Sequence, residues 1–328
     1  GWDVAVPGDE WAAECLRVLK PGGHLIAFAA TRTVHRLMVS LEDAGFELRD
    51  LVGWLQWQGF PKSLDASKAI DAHHGQSRYG SQPSWQSTNG SNGNSWGPTE
   101  NPERDPNPAT EDAKRWHGWG TALKPAHEPA VLARKPLEGT VAENLLKWGV
   151  GALNIDGCRI AYEDLAWPGP GSPWGSRNNK AGSGVGSGSG SEIYGKRDAA
   201  FGQDHDLGRW PANIYHCPKP SRSEREAGCD ELEPRNPGFG SQSLKGISHT
   251  IQGPRLGNNH PTVKPQRLMR WLARLITPPG GTLLEPFAGS GTTMVAAERE
   301  GFVCIAAEME PAYCDIIRAR LTHVVDGD

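Results

Sequence analysis

Apolar residues fall at helical spacing in several stretches of this chain. In three of these stretches they recur every three or four positions, as they do along one face of an α-helix. The three sets are Ala12, Cys15, Leu16 and Leu19; Val34, Leu37, Met38 and Leu41; and Leu268, Leu272, Leu275 and Ile276. Gly45 is placed to end the second helix, and Pro311 suits the first turn of a final helix.

Five apolar runs predict β-strands that alternate with these helices. They are HLIAFAA (residues 24–30), ELRDLVGWLQW (47–57), PAVLARK (129–135), GTLLEPF (281–287) and FVCIAAE (302–308). The first run is typical of a strand buried in a parallel sheet. Strands and helices that alternate at these lengths predict right-handed, parallel α/β units.

Two stretches lack the periodicity of a packed core. Residues 73–114 are rich in Ser, Asn, Gly, Pro and Gln, and residues 168–191 include AGSGVGSGSGS. This composition is typical of flexible connections, so we predict an insertion in each place. Between them, Thr140 and Glu143 have the spacing of a capping box at the start of a short helix.

The composition excludes several classes of protein. Hydrophobic residues make up 37% of the 328 residues, the formal net charge is −4, and no long apolar run predicts a membrane span. The six cysteines include no C-x-x-C pair, which argues against a zinc site or a disulfide framework. We therefore expect free thiols in a reducing cytoplasm, and no bound metal.

The stretch LLEPFAGSGTT, residues 283–293, carries the strongest chemical signal. No lysine follows Gly291, so the loop is not a phosphate-binding P-loop. A dinucleotide fingerprint would need a third glycine where Met294 stands, so the sequence does not favour close approach of a pyrophosphate. What is left is a tight turn from a strand to a helix that lets a ligand lie against the backbone.

Two acids flank this turn. Glu285 ends the strand before it, and Glu308 ends the next strand, where a carboxylate can accept hydrogen bonds from ribose hydroxyls. Carboxylates disfavour an anionic ligand and favour a neutral or cationic nucleoside, such as S-adenosylmethionine. An ordinary tight turn with two solvated acids is the alternative interpretation.

The position of the turn near the end of the chain predicts a circular permutation. A doubly wound sheet needs several strands after its ligand-binding loop, and only FVCIAAE follows here. The remaining strands must be those near the start of the chain, so the cofactor half comes last.

Residues 260–321, which begin HPTVKP and include PFAGSGTT, closely resemble the end of the permuted DNA amino-methyltransferases. The stretches VLKPGGHLIAFAATRTVHR, GFPKSLDASKAID, ALKPAHEPAVLARKPL and NIDGCRI resemble the other half of phage and bacterial members. The resemblance covers most of the chain outside the two insertions. It implies a Rossmann-like S-adenosylmethionine methyltransferase sheet that is circularly permuted, with flexible insertions and a small recognition region.

The resemblance implies a cofactor site and a division of the chain. The residues implied for S-adenosylmethionine are Glu285, Pro286, Phe287, Gly289, Gly291, Thr292, Glu308, His260, Pro261, Thr262 and Lys264. Lys264 would pair with the methionine carboxylate. The family usually has Asp where this chain has Glu285, and the longer side chain can shift that contact. The division is 1–72 and 115–160 for the catalytic half, 73–114 for one insertion, 161–259 for an insertion with the target-recognition region, and 260–328 for the cofactor half.

The catalytic motif of the family, Asp/Asn/Ser-Pro-Pro-aromatic, is not found in these residues. Pro278-Pro279 follows Thr277 and precedes Gly280, and Asp105-Pro106 precedes Asn107, so neither stretch fits. We expect the motif upstream of Gly1, in which case this chain binds cofactor but does not methylate alone. A C5-cytosine enzyme is disfavoured because the chain has no Pro-Cys pair for its nucleophile.

Basic residues are concentrated in one part of the chain. Between Arg209 and Arg274 there are 11 Lys and Arg against 5 Asp and Glu. This excess predicts a surface for double-stranded DNA, with Lys219, Arg222 and Arg225 as contacts. Arg267, Arg270 and Arg274 share a helix face, which we interpret as solvated. Thr31, Arg32 and His35 follow a strand at the edge where ligands bind, so we predict that they face the substrate.

The function expected from the resemblance is transfer of a methyl group to the exocyclic amino group of a flipped base, adenine N6 or alternatively cytosine N4. The setting implied is the cytoplasm of a bacterium or a phage-infected cell, as in restriction–modification, and a homodimer is left open. Three alternatives stay open: methylation of RNA or a small molecule, a nucleic-acid-binding protein without catalysis, and a nicotinamide oxidoreductase, which Met294 disfavours.

Overall fold

The computed structural model describes residues 9–59, 63–76, 107–161, 208–233 and 257–327. The chain divides into two compact units, one formed by Gly1–Gln58 with His127–Asp328 and the other by Gly59–Ala126. The predicted insertion at 168–191 lies outside the described residues, as does most of the one at 73–114.

The helices and strands follow the predicted order. They are α1 Asp9–Val18, β1 His24–Phe28, α2 Val34–Asp43, β2 Glu47–Leu55, α3 Ala66–His73, α4 Glu111–Arg115, β3 His127–Arg134, α5 Val141–Trp148, β4 Ile214–His216, α6 Arg222–Glu226, α7 Gln266–Ile276, β5 Thr282–Glu285, α8 Thr292–Arg299, β6 Val303–Ala306 and α9 Pro311–Gly327. All five predicted strands are present. Four elements were not predicted: α3, α4, β4 and α6. Of these, α4, β4 and α6 are three to five residues long, which is too short to show a period.

The larger unit contains a four-stranded sheet in the order β1-β3-β2-β4. β3 lies between β1 and β2 and runs antiparallel to both, with Ile26 opposite Leu132 and Val52 opposite Ala130. β1 and β2 therefore run in the same direction, as the predicted parallel α/β unit requires, but the antiparallel strand β3 between them departs from that prediction. A strand covered on both faces shows the same continuous apolar run in either direction, so the run in PAVLARK could not reveal which way β3 points.

Alternate residues of β3 point to opposite faces of the sheet and form two cores. On one face Val131 and Ala133 pack with buried residues of α1 and α2. On the other face Ala130 and Leu132 pack with α7, where Leu268 is fully buried. The helical periodicity in the sequence thus correctly marked the faces that cover the sheet.

A second sheet in the same unit consists of β5 and β6, which pair in parallel with Leu283 opposite Cys304. Helix α8 connects the two strands, and α9 begins at Pro311 as predicted. This is the predicted arrangement of strand, glycine loop, helix and strand. The circular permutation itself stays a prediction.

Helix α4 lies inside the stretch 73–114 that we predicted to be flexible, so the end of that stretch is structured. In this smaller unit the buried carboxylate of Asp71 accepts hydrogen bonds from the backbone N–H groups of Ala109 and Thr110. Trp116 and Trp119 meet edge to face at 5.2 Å and are 42% and 62% exposed. Among the described helices, none is long and apolar enough to cross a membrane.

Candidate functional site

The glycine loop between β5 and α8 requires its two glycines. Gly289 and Gly291 have φ angles of 55° and 74°, a region that residues with a Cβ rarely adopt. A Cβ on Gly289 would lie 2.8 Å from Nε2 of His260, and one on Gly291 would lie 3.0 Å from Cγ1 of Ile317. Both backbone conformation and close packing therefore select glycine at these positions.

The two flanking acids are folded onto the loop. Glu285 accepts hydrogen bonds from the Phe287 backbone N–H at 3.1 Å and from the Thr293 hydroxyl at 2.7 Å. Glu308 accepts one from the Gly289 N–H at 2.7 Å. Burial raises the pKa of Glu285, against the opposing effect of its hydrogen bond from Thr293. Glu285 thus stabilises the loop conformation, and Glu308 contacts the loop at Gly289, which we call the loop tip.

His260 forms a wall over the glycine loop. Its ring meets Tyr313 edge to face at 4.6 Å, and its Nδ1 accepts a hydrogen bond from the Thr262 N–H at 3.3 Å. The guanidinium of Arg225 donates to the His260 carbonyl at 3.3 Å. Burial lowers the pKa of His260, so the ring is neutral at pH 7. The neutral ring packed on Gly289 therefore contributes a steric boundary to the site and no charge.

Lys264 already has a carboxylate partner within the chain. Its Nζ lies 2.5 Å from Oε2 of Glu128 on β3. The same ammonium stands 4.6 Å from the centre of the Phe28 ring and 5.2 Å from that of Trp54, within the range of cation–π attraction. A cofactor carboxylate would therefore share Lys264 with Glu128.

These residues line a cavity of about 640 Å³, a size suited to a nucleoside cofactor. Nine of the eleven residues predicted for the cofactor border it: His260, Thr262, Lys264, Glu285, Pro286, Phe287, Gly289, Thr292 and Glu308. Pro261 and Gly291 do not. The sequence interpretation missed Tyr313, Ser290 and Phe28, which also border the cavity. Tyr313 had a recoverable signal, because it follows Glu308 in the first turn of α9.

The cavity also runs along two open strand edges. All residues of β1, from His24 to Phe28, border it, and so do all residues of β5. Within the described part of the chain, β1 pairs only with β3, and β5 pairs only with β6. Each strand therefore turns its unpaired edge, a row of backbone N–H and C=O groups, toward the cavity.

The residues predicted to contact DNA lie outside this cavity. Thr31, Arg32 and His35 are exposed around the start of α2, and Lys219 and Arg222 are exposed at and before α6. Arg225 is half-buried and holds the His260 carbonyl as described above. Their contact with nucleic acid stays a prediction.

The helix face that carries Arg270 and Arg274 is not simply solvated, contrary to our interpretation. The Nε atoms of both side chains donate to the carboxylate of Glu300, at 2.6 and 2.7 Å. The hydrogen bond from Arg274 is the main reason that the pKa of Glu300 is lowered. These arginines fasten α7 to the end of α8, which leaves them less available for phosphates.

The thiols fit the expectation of free cysteines. All six are unpaired, and four of them are buried. Burial raises the pKa of Cys158 to about 12 and that of Cys217 to about 11, so both stay protonated at neutral pH. In the part of the chain that the structure describes, no group of His, Cys, Asp or Glu is arranged to hold a metal ion.

A family model described as "DNA methylase" matches residues 9–319. The type II methyltransferase M.HindIII of Haemophilus influenzae is 26% identical over 149 residues, which are 44% of this chain and 37% of that protein. The type II methyltransferase M2.DpnII of Streptococcus pneumoniae is 44% identical over 62 residues, which are 19% of this chain and 23% of that protein. Both matches thus span well under half of the curated relatives.

Solved structures give weaker likenesses. The crystal structure of an M1.HpyAVI–SAM complex has a TM-score of 0.42 at 15% identity, over 95% of this chain and 81% of that one. The cytosine-N4-specific PvuII DNA methyltransferase has a TM-score of 0.43 at 14% identity, over 97% of this chain and 74% of that one.

Proposed function

Because the chain belongs to the N6/N4 DNA methylase family, whose model spans residues 9–319, we propose that it acts in an S-adenosylmethionine-dependent DNA amino-methyltransferase of the bacterial cytoplasm. The observation that carries this proposal is the cavity at the glycine loop, with Glu308 at the loop tip. The names of both curated relatives, type II methyltransferases, support it further.

The cofactor proposal rests on the charges around the loop. Glu285 and Glu308 border the cavity and would repel a pyrophosphate, whereas S-adenosylmethionine brings a neutral nucleoside and a sulfonium cation. Glu308 accepts the Gly289 N–H through Oε2 and the Glu310 N–H through Oε1, and the remaining lone pair on each oxygen can accept a hydrogen bond from a ribose hydroxyl. Lys264 is the cation placed to meet the carboxylate at the other end of the cofactor.

The proposed reaction needs no covalent intermediate with the protein. The exocyclic nitrogen of the base forms a bond to the methyl carbon as the bond from sulfur to that carbon breaks. S-adenosylhomocysteine leaves, and the extra proton on nitrogen passes to an acceptor. The protein mainly orients the two reactants and polarises the amino group. The raised thiol pKa values agree with a mechanism without a cysteine nucleophile.

The Pro-Pro-aromatic motif, which in the family accepts hydrogen bonds from the target amino group, does not occur in these 328 residues. We place that motif on a segment ahead of Gly1, as the family resemblance implies. A strand added between the open edges of β1 and β5 would bring the motif beside the glycine loop. Adenine N6 is the target we favour, and cytosine N4 is the second candidate.

Calorimetric titration of the chain with S-adenosylmethionine tests the cofactor. We expect saturable binding that weakens at least tenfold in Glu308→Gln and is unchanged in Glu310→Gln, an exposed neighbour. NADH should not compete, because its pyrophosphate meets the two acids. Tighter binding of NADH than of S-adenosylmethionine would overturn the proposal.

A second assay tests the substrate. A longer chain that carries the motif ahead of Gly1 is incubated with tritiated S-adenosylmethionine and either duplex DNA or RNA of the same sequence. We expect label in DNA alone, and digestion to nucleosides then separates N6-methyladenine from N4-methylcytosine. Label in RNA alone would refute the DNA assignment.

A further inference from the structure

A second, smaller cavity of about 270 Å³ lies among α6, α7, α8 and α9. The residues that border it are distinct from those that line the cofactor cavity. Its polar lining includes Glu224, Gln266, Arg299, Arg320 and His323. The volume is below that of typical sites for drug-sized molecules, so it suits a small group.

Arg320 is the central feature of this cavity, because it is buried and no carboxylate of the described residues forms an ion pair with it, although the charge of Glu224 acts on it from farther away. Its side chain is 3% exposed. Its Nη1 donates to the Ser290 carbonyl at 2.6 Å and to the hydroxyls of Ser290 and Thr292 at 3.2 and 3.1 Å. Within the described part of the chain Nε and Nη2 donate no hydrogen bond, and unlike Oε1 of Gln266 they keep some accessible surface. A buried cation with unused donors is costly unless an anion meets it.

The charge around the cavity also favours an anion. Arg299 and His323 border it together with Arg320, against the carboxylate of Glu224. Oε1 of Glu224 is occupied, because it accepts a hydrogen bond from the Gln266 backbone N–H at 2.6 Å. Two guanidinium groups thus face one engaged carboxylate, which leaves a net positive lining.

Gln266 adds an acceptor to this set of donors. Its Oε1 is buried and has no partner in the described part of the chain. A ligand that satisfies both Arg320 and Gln266 must carry negative oxygens and a hydroxyl. A hydrogen phosphate ion and a phosphomonoester monoanion have both, whereas sulfate at neutral pH has no hydroxyl.

We propose that this cavity is a binding site for a phosphate group, held by Arg320 and Arg299 with its hydroxyl on Gln266. The site also touches the glycine loop, since Nη1 of Arg320 bonds Ser290 and Thr292. A phosphate bound to the guanidinium nitrogens that do not contact Ser290 holds the Arg320 side chain in place. Through the bonds from Nη1, it also holds the start of α8 in place. On the proposed cofactor function, phosphate and S-adenosylmethionine therefore strengthen each other's binding by the same factor.

The test is calorimetric titration of the chain with inorganic phosphate at constant ionic strength, without S-adenosylmethionine. We expect one saturable site that weakens at least fivefold in Arg299→Gln, an exposed position that leaves the fold intact. The matched control is Arg318→Gln, which removes an equal charge from an exposed position of α9. Absence of saturation, or equal weakening in both variants, overturns the proposal.

Further titrations identify the chemistry and the source of the phosphate. Sulfate should bind several-fold more weakly than phosphate. Gln266→Leu should abolish this preference for phosphate. Equal binding of both ions to the unchanged chain would overturn the role of Gln266. A nucleoside monophosphate should displace phosphate, and a short DNA duplex should not, because a phosphodiester has no hydroxyl. Displacement by the duplex alone would overturn the monoester assignment. Repeating the phosphate titration with S-adenosylmethionine present measures the coupling separately, so loss of the cofactor proposal leaves the site itself testable.

Discussion

Replacement of Gly289 by alanine measures how closely the glycine loop is matched to its ligand. At φ 55° an alanine is strained by about 1–2 kcal/mol. The new Cβ would also stand 2.8 Å from Nε2 of His260, so that ring must move. His260 is held by Tyr313 and by the Thr262 N–H, and its shift would reshape the wall of the cofactor cavity. We expect a stability loss of roughly 1–3 kcal/mol and an S-adenosylmethionine affinity at least tenfold lower.

Gly301→Ala is the matched control. Gly301 has a φ of 72°, but a Cβ there meets nothing within 4 Å, and the residue follows α8 away from the cavity. We expect a stability loss of about 1 kcal/mol, since strain is partly offset by the smaller entropy of the unfolded chain, and unchanged affinity. Urea unfolding and calorimetry measure the two quantities. Equal cofactor affinity in the two variants would refute the role of the contact between Gly289 and His260.

Three further predictions concern residues around the site. Burial, followed by the charges of nearby arginines, lowers the pKa of His24 to about 4. The free energy of unfolding is therefore unaffected by His24 above its usual pKa near 6.5 and decreases as the pH drops toward 4, because the unfolded chain binds the proton more readily. Urea unfolding should show a free energy of unfolding that is roughly 1–2 kcal/mol lower at pH 5 than at pH 7.5. His24→Gln should remove this difference. Asn144→Ala should cost roughly 2–4 kcal/mol in the same assay, because the buried amide accepts from the Glu138 N–H and donates to two backbone carbonyls; a loss below about 0.5 kcal/mol would contradict that account. Lys264→Met should weaken S-adenosylmethionine binding at least fivefold, and Glu128→Gln, which frees the ammonium, should tighten it; the same calorimetry decides, and tighter binding to Lys264→Met would contradict the proposed pairing.

The parts of the fold that the sequence predicted are those with local signals. The period of Leu268, Leu272 and Leu275 reports burial against a sheet, and those residues are buried. The capping box of Thr140 and Glu143 is present, because its two hydrogen bonds join residues three positions apart. The glycine loop was equally readable, since a strand, two glycines and a helix follow one another without interruption.

The features that escaped prediction depend on partners far apart in the chain. Lys264 and Glu128 are 136 positions apart, and no pattern around Lys264 reveals that its charge is already matched. The direction of β3 likewise depends on where the chain returns after the smaller unit. Arg320 belongs to an amphipathic helix in which an arginine normally faces solvent, and only the folded chain shows it bonded to Ser290. A local motif can therefore identify the ligand-binding loop. The charges that determine the affinity for the ligand depend on tertiary packing, which the motif does not reveal.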